Sequence, residues 1–264
     1  MFSPTPYPDI NAVLQKLLSS VQGALGTYFT GMIVHGSLAN GDFNPHCSDI
    51  DVLVVTTVEL PPGMLPALRA MHAALTSSGM PWAAEMEVSY IPQRALRRFD
   101  PANCNHPALR IDGSFEVDGH DAGWIIQRHI IREKGLVVAG PAPQTLIDPV
   151  TPGELRGAQI ELLREWWAPQ LRDPALLRSS EYQAYAVLTM CRALYTLQYG
   201  AVTTKPGAAR WAQQILGEPW AALIQRAAAW RRGMPMDDLP GVLDFIRYTL
   251  ARGEESTALE RLQR

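Results

Sequence analysis

The chain has 264 residues, 47% hydrophobic and 19% charged, which is enough apolar material for one large domain or two small ones. The formal net charge is −3 and no block of like charges stands out, which argues against broad nucleic-acid binding but not against a small cationic substrate. The three cysteines are widely spaced, and there is neither a secretory leader nor a run of about eighteen apolar residues, so we expect a cytoplasmic protein without a membrane partner.

The first half of the chain mixes helical and strand patterns. The predicted elements are, in order, a helix over 10–21, a strand over 31–36, a strand over 50–56, a helix over 65–75, a strand within 82–92, a helix over 124–133 and a short strand over 135–140. Residues 93–119 show no regular pattern. We interpret the acidic segment 112–121 as a solvated loop, and the alternative is that it helps to hold a cationic substrate.

From Thr151 onward helical periodicity dominates, and Gly and Pro separate the periodic segments. The predicted helices are Leu155–Trp167, Tyr182–Tyr199, Ala208–Leu216, Trp220–Arg231 and Asp238–Leu259. The pattern predicts an α+β fold, with a mixed sheet and helices in residues 1–150 and an antiparallel helical bundle in residues 151–264.

A candidate site lies between the first two predicted strands. The first strand ends in Gly36-Ser37, and the second opens with Asp49 and Asp51, whose side chains share one strand face. Adjacent carboxylates repel unless a cation lies between them, and oxygen ligands suit Mg²⁺. Gly36 permits a close backbone approach, and Ser37 offers a hydroxyl and an amide to a phosphate. The segment therefore predicts a site for a metal ion and a nucleoside triphosphate, although an isolated Asp-x-Asp is usually only a solvated strand start.

This segment as a whole resembles the nucleotidyltransferase superfamily. The resemblance rests on an apolar strand that ends in Gly-Ser, a loop, and Ser-Asp-Ile-Asp at the start of a second apolar strand. In that superfamily a third carboxylate comes from a neighbouring strand. In aminoglycoside adenylyltransferases it is a glutamate followed by valine, and it acts as the general base. Glu87-Val88 fits this pattern better than Glu85-Met86, so Glu87 is the candidate base and third metal ligand, whereas Glu85 is interpreted as a solvated strand residue.

The segment from Val187 to Lys205 resembles the C-terminal helical domain of the spectinomycin/streptomycin adenylyltransferases. The resemblance implies that Arg192 and Lys205 reach across a cleft to the ATP phosphates, which suits a guanidinium and an ammonium. It also implies that an aromatic residue, here Trp230, stacks on the adenine. Ser48 is a further candidate phosphate contact.

The acceptor side matches this family less closely. The family's drug-binding positions include a tryptophan, matched here by Trp124, and acidic residues with a histidine at the start of the arginine-bearing helix. That start contains Glu181 as its one acidic residue, and Tyr185 stands in place of the histidine. Trp124, Glu181 and Tyr185 are therefore the candidate substrate-binding residues, and spectinomycin is favoured over streptomycin.

The resemblance implies that the protein, expected to be a monomer, transfers AMP from ATP to a hydroxyl of a small cationic acceptor with Mg²⁺ as cofactor. An aminoglycoside-type antibiotic would be the acceptor, and antibiotic resistance the consequence. Two alternatives remain open. The protein could modify another protein or an unknown small molecule, or it could be a binding module on a decayed catalytic fold. The presence of all three carboxylates argues against decay.

Overall fold

The computed structural model describes residues 3–46 and 48–262, excluding the side chains of residues 258–262. Cys47, one of the three cysteines, lies outside the described residues, while Cys104 and Cys191 carry free thiols. The chain forms two compact units, Met1–Asn44 with Ser48–Pro149, and Pro45–Cys47 with Val150–Arg264. Each unit has its own core and is described separately.

Within residues 3–44 and 48–149, the first unit contains six strands and six α-helices. The strands are β1 (Phe29–Val34), β2 (Ile50–Thr56), β3 (Met86–Pro92), β4 (Asn105–Leu109), β5 (Phe115–Gly119) and β6 (Leu136–Ala139). The helices are α1 (Pro8–Leu25), α2 (Gly36–Asn40), α3 (Leu65–Thr76), α4 (Gln93–Arg97), α5 (Gly123–Lys134) and α6 (Pro143–Leu146). The strands form one sheet in the order β5-β4-β3-β2-β1-β6.

The sheet is mixed, as predicted. β2 and β3 are parallel, whereas β1 with β2, β1 with β6, β3 with β4 and β4 with β5 are antiparallel. In the parallel pair Asp51 lies opposite Glu87, and Val52 lies opposite Val88. Because side chains alternate along a strand, Asp51 and Glu87 project from the same face of the sheet.

Both faces of the sheet are packed, but by different clusters. Val52, Val54 and Val88 belong to the larger core, which also contains the apolar faces of α1 and α3. Leu53 and Val55, on the face that carries Asp51, belong to a smaller core with residues of α4, α5 and α6. Along β2, Asp51 therefore comes just before Leu53 and Val55, which point to the same face of the sheet and are buried in this smaller core.

Residues 93–119 are more regular than predicted. The expected acidic loop over 112–121 is wrong in part, because β4 and β5 form an antiparallel hairpin that includes residues 115–119. Its acidic side chains have local partners: Asp112 accepts a hydrogen bond from the Ser114 amide, and Asp118 pairs with Arg110. The hairpin escaped detection because β4 contains Pro107, and a proline within a short run argues against a strand.

The second unit is helical, as predicted. Its helices are α7 (Pro152–Leu162), α8 (Ala168–Gln170), α9 (Ser180–Tyr199), α10 (Lys205–Leu216), α11 (Trp220–Ala229) and α12 (Leu239–Leu262), and a π-helical turn over Leu163–Trp167 follows α7. Thr151 and Glu154 form a capping box at the start of α7. Ser179 caps α9, which ends at Gly200 in the left-handed conformation.

The core of the second unit surrounds α9, whose residues Ala186, Val187 and Met190 are fully buried. Phe245 and Ile246 of α12 pack into the same cluster. Within residues 3–46 and 48–262, no helix is both long and apolar enough to span a bilayer.

The loss of unfolding free energy when an isoleucine of the second unit is replaced by alanine should depend on how deeply its side chain is buried. We expect Ile246→Ala, at a fully buried site, to lower the free energy of unfolding by about 2–5 kcal/mol. The matched control is Ile215→Ala on α10, where the side chain is 65% exposed and the expected change is within about 0.5 kcal/mol. Urea denaturation followed by circular dichroism measures both, and equal losses would contradict the packing described here.

Candidate active site

Three carboxylates meet at one end of the parallel strand pair. Asp49 directly precedes β2, Asp51 lies within it, and Glu87 lies opposite Asp51 on β3. Oxygen atoms of the three side chains all lie within 4.8 Å of one another. Within residues 3–46 and 48–262, this is the one group of three or more acidic, histidine or cysteine side chains that meets this distance. Three hard oxygen donors at this spacing fit a divalent cation such as Mg²⁺.

Glu87 and Glu85 lie in different surroundings, and Glu85 is not the solvated strand residue that was predicted. Glu87 joins the carboxylate group, whereas Glu85 lies in the turn before β3, where its carbonyl accepts a hydrogen bond from the Ile50 amide. The strand over 82–92 is therefore shorter than predicted and begins at Met86. The turn at residues 81–84 takes the place of the expected early strand residues.

The electrostatic environment of Glu87 favours its protonated form. Burial raises the pKa of Glu87 above its usual range, and the negative charge of Asp49 raises it further. A carboxyl group with a raised pKa is a stronger proton acceptor once it is ionised. A cation between the carboxylates would offset the repulsion that these charges create.

Gly36 lies against the Asp51 carboxylate at the end of β1. The His35 amide donates a hydrogen bond to the Asp51 carbonyl, and Gly36 follows with a φ of +61°. A Cβ built on Gly36 would overlap Oδ2 of Asp51 and lie 2.6 Å from its Cγ. Glycine is therefore required here both for the backbone conformation and for the space that the carboxylate occupies.

The predicted phosphate-contacting serines have different environments. Ser37 lies in the first turn of α2, and its buried hydroxyl has no hydrogen-bond partner among the described residues. Ser48 instead closes the loop before β2, because its hydroxyl accepts a hydrogen bond from the Asn44 amide at 3.0 Å. Ser37 is thus the serine whose hydroxyl lacks an intramolecular partner, and the role of Ser48 stays a prediction.

Trp124 lies in a stack of aromatic side chains in the first unit. Its ring is parallel to that of His120, with centroids 3.7 Å apart, and the ring of His35 approaches it at 6.5 Å. His120 in turn contacts His106. Burial lowers the pKa of His35 to about 4 and that of His120 to about 3, so both imidazoles are neutral at pH 7.

His120 and Arg128 were missed by the sequence analysis. Arg128 is buried, donates hydrogen bonds to the carbonyls of Ala95, Leu96 and Trp124, and so connects α5 to α4. His120 reaches Trp124 because its amide bonds to the Cys104 carbonyl at the end of the β4–β5 hairpin. No spacing in the sequence indicates these contacts. The position of His120 depends on the end of that hairpin, and the contacts of Arg128 with Ala95 and Leu96 depend on the packing of α5 against α4.

The remaining predicted site residues belong to the second unit. Arg192 lies in the middle of α9, and its buried Nε has no hydrogen-bond partner among the described residues. Lys205 is the first residue of α10, and its ammonium lies 5.4 Å from the centre of the Tyr185 ring. Glu181 is exposed in the first turn of α9. Tyr185 thus contacts Lys205, while the roles of Arg192 and Glu181 stay predictions.

Trp230 borders a cavity of about 540 Å³ in the second unit. Its indole nitrogen donates a hydrogen bond to the Met234 carbonyl, which fixes the orientation of the ring. Arg226 and Asp238, which form an ion pair, also line this cavity. An apolar ring beside charged groups is compatible with a nucleobase, and the predicted contact with adenine stays a prediction.

Comparison with known proteins gives matches in both halves of the chain. A model of the nucleotidyltransferase domain matches residues 15–76, and a model of the aminoglycoside adenylyltransferase C-terminal domain matches residues 145–252. An aminoglycoside (3'') (9) adenylyltransferase of Escherichia coli is 26% identical over 261 residues, which cover 91% of this chain and 93% of that protein. The chain is similar to the aminoglycoside adenylyltransferases over most of its length, and its first half matches the nucleotidyltransferase domain.

A second relative of this adenylyltransferase-like chain is the spectinomycin 9-adenylyltransferase of Staphylococcus aureus. It is 24% identical over 244 residues, covering 88% of this chain and 89% of that protein. The crystal structure of spectinomycin adenyltransferase AAD(9) from Enterococcus faecialis, which contains ATP and spectinomycin, superposes with a TM-score of 0.68 at 15% identity. The superposition covers 92% of this chain and 98% of that one, and it confirms the predicted fold.

The contact between Gly36 and Asp51 predicts a local effect of adding a methyl group to this adenylyltransferase-like chain. Gly36→Ala should displace the Asp51 carboxylate and abolish the rise in melting temperature that we expect Mn²⁺ to produce in the unmodified protein. Differential scanning fluorimetry with and without Mn²⁺ measures this rise.

The matched control is Gly41→Ala, at the other end of α2. Gly41 also has a positive φ, of +78°, but a Cβ there meets nothing within 4 Å. It shares the backbone strain without the overlap, so the Mn²⁺ effect should persist. A Gly36→Ala variant that responds to Mn²⁺ as the unmodified protein does would refute this account of the site.

Proposed function

We propose that this chain transfers AMP from ATP to a hydroxyl group of a small cationic acceptor of the aminoglycoside type and releases pyrophosphate. The observation that carries the proposal is the convergence of Asp49, Asp51 and Glu87 at one end of the parallel pair β2–β3. The domain models matched in both halves, and relatives named as adenylyltransferases, support the same reaction.

The cluster of Asp49, Asp51 and Glu87 has two roles in this proposal, metal binding and proton transfer. A Mg²⁺ ion held by Asp49, Asp51 and Glu87 would neutralise charge on the nucleotide phosphates. Glu87 accepts the proton of the acceptor hydroxyl. The acceptor oxygen forms a bond to the α-phosphorus, and the bond from that phosphorus to the bridging oxygen of pyrophosphate breaks.

In this proposal Gly36, Ser37 and Ser48 bind phosphate oxygens. The Ser37 hydroxyl, which has no hydrogen-bond partner among the described residues, supports that assignment. Arg192 and Lys205 supply positive charge to the phosphates. Trp230 stacks on the adenine, which the cavity beside its ring supports.

We assign contacts with the acceptor to Trp124 and Glu181. A carboxylate and an indole ring are suited to a cationic, partly apolar antibiotic. Relatives are named for aminoglycosides and for spectinomycin, and one related crystal structure contains spectinomycin. Since Glu181 is the single acidic residue at the start of α9, we propose spectinomycin before the more strongly cationic streptomycin. A protein acceptor is the alternative.

A screen of acceptors tests the proposed reaction. Purified protein, Mg²⁺ and ATP labelled in the α-phosphate are incubated with spectinomycin, streptomycin or other aminoglycosides, and transfer of label and pyrophosphate release are measured. We expect release that depends on spectinomycin. Label found on protein instead would favour the alternative acceptor. Release that persists in the doubly substituted Asp49→Asn, Asp51→Asn protein would contradict the proposed metal site.

Replacing each of the two neighbouring glutamates tests the assignment of the base. Glu87→Gln should lower the transfer rate roughly 10²- to 10⁴-fold, because the amide cannot accept the proton. Glu85→Gln is the matched control and should retain most of the activity, since Glu85 does not belong to the cluster of Asp49, Asp51 and Glu87. Pre-steady-state measurement of AMP transfer separates this step from product release.

The pH dependence of the transfer rate is a second test of Glu87 as the base. Glu87 must be ionised to accept the proton of the acceptor hydroxyl. The rate should therefore fall as the pH falls through the pKa of Glu87, and the acidic limb should be absent from the residual activity of Glu87→Gln. An unchanged acidic limb in that variant would assign the base to another group.

A further inference from the structure

Lys205 occupies a position that is unfavourable for a cation within its own helix. It is the first residue of α10, where the helix dipole presents its positive end, and no acidic residue lies in the first turn. The Thr204 hydroxyl caps this end by accepting a hydrogen bond from the Gly207 amide. The helix dipole therefore does not favour the ammonium at this position.

The Lys205 ammonium has a neighbour on α9, the ring of Tyr185. The ammonium lies 5.4 Å from the ring centre, within the range of a cation–π interaction. The ring is itself held by two others, since Trp167 lies at 6.2 Å and Tyr182 at 5.4 Å between centroids. Tyr185 is thus a supported platform, which limits the positions that the flexible lysine side chain adopts.

The same helix face carries polar groups without partners. Tyr185, Thr189 and Arg192 are spaced four and three residues apart, so they lie along one side of α9. The Thr189 hydroxyl and the Arg192 Nε are buried and have no hydrogen-bond partner among the described residues. Together with the ammonium, these donors are suited to an anion with several oxygen atoms, such as a phosphate chain.

We propose that Tyr185 is a positioning residue for the nucleotide, whose ring holds the Lys205 ammonium ready to bind phosphate. This inference rests on the proposed function and changes the expectation that Tyr185 contacts the acceptor. Fixing a lysine in advance lowers the entropy lost on binding, which corresponds to roughly two- to tenfold in affinity. Phenylalanine would preserve the platform, whereas leucine would remove it.

A double-mutant cycle tests the pair. The dissociation constant of a non-hydrolysable ATP analogue with Mg²⁺ is measured by calorimetry for the unmodified protein, Tyr185→Leu, Lys205→Met and the double variant. We expect Tyr185→Leu to weaken binding roughly two- to tenfold, to raise the KM for ATP and not that for spectinomycin, and to have no further effect in the Lys205→Met background. Tyr185→Phe should restore most of the affinity.

A spectroscopic measurement keeps the test valid if Tyr185→Leu alters folding. The chain has three lysines, Lys16, Lys134 and Lys205, so ¹³C-dimethylation gives few side-chain signals, and Lys205→Arg identifies the one of interest. In the unmodified protein this signal should show an upfield ring-current shift and move when the analogue binds. A random-coil position for it would overturn the inference.

Other outcomes are equally decisive. A rise in the KM for spectinomycin alone would make Tyr185 an acceptor contact, and equal losses in Tyr185→Phe and Tyr185→Leu would assign the effect to the hydroxyl. If the unmodified protein does not bind the analogue at all, the proposed function fails. If it binds but Tyr185→Leu binds equally well, only the positioning role fails.

Discussion

The in-register parallel pairing of β2 with β3 is the constraint on which the rest of the first unit depends. It sets Asp51 opposite Glu87, and Asp49 completes a group of negative charges that would separate in solution. A slip of one residue would turn Glu87 to the opposite face of the sheet and disperse the group. The sheet therefore holds a repulsive arrangement in place, and burial together with the charge of Asp49 raises the pKa of Glu87.

The packing of the two sheet faces explains how this repulsion is tolerated. Val52 and Val88, the next residues along the strands, are buried in the larger core on the opposite face, and Leu53 is buried on the carboxylate face itself. These contacts anchor both strands immediately beyond the charged positions. Gly36 then leaves the space that the Asp51 carboxylate fills, so backbone and core together determine where the charges lie.

In both units an aromatic ring contacts polar side chains that belong to the predicted sites or lie beside them. In the first unit, His120 and His35 pack on Trp124 as neutral imidazoles, because burial holds their pKa values far below 7. In the second unit, the Tyr185 ring lies beneath the Lys205 ammonium. Rings have few rotatable bonds and large contact areas, so they fix neighbouring side chains at a low cost in conformational entropy.

The sequence by itself determined the fold class, the helical second half and the pair of aspartates, because strand and helix periods and the Gly-Ser…Asp-x-Asp pattern are local signals. It also favoured Glu87 over Glu85, although only the pairing of β3 with β2 brings Glu87 to the aspartates. The tertiary structure alone decided the β4–β5 hairpin, the stacking of His120 on Trp124 and the contact of Tyr185 with Lys205. Those contacts join residues that are distant in sequence or lie on separate elements, so strand register and helix packing determine them and no local pattern records them.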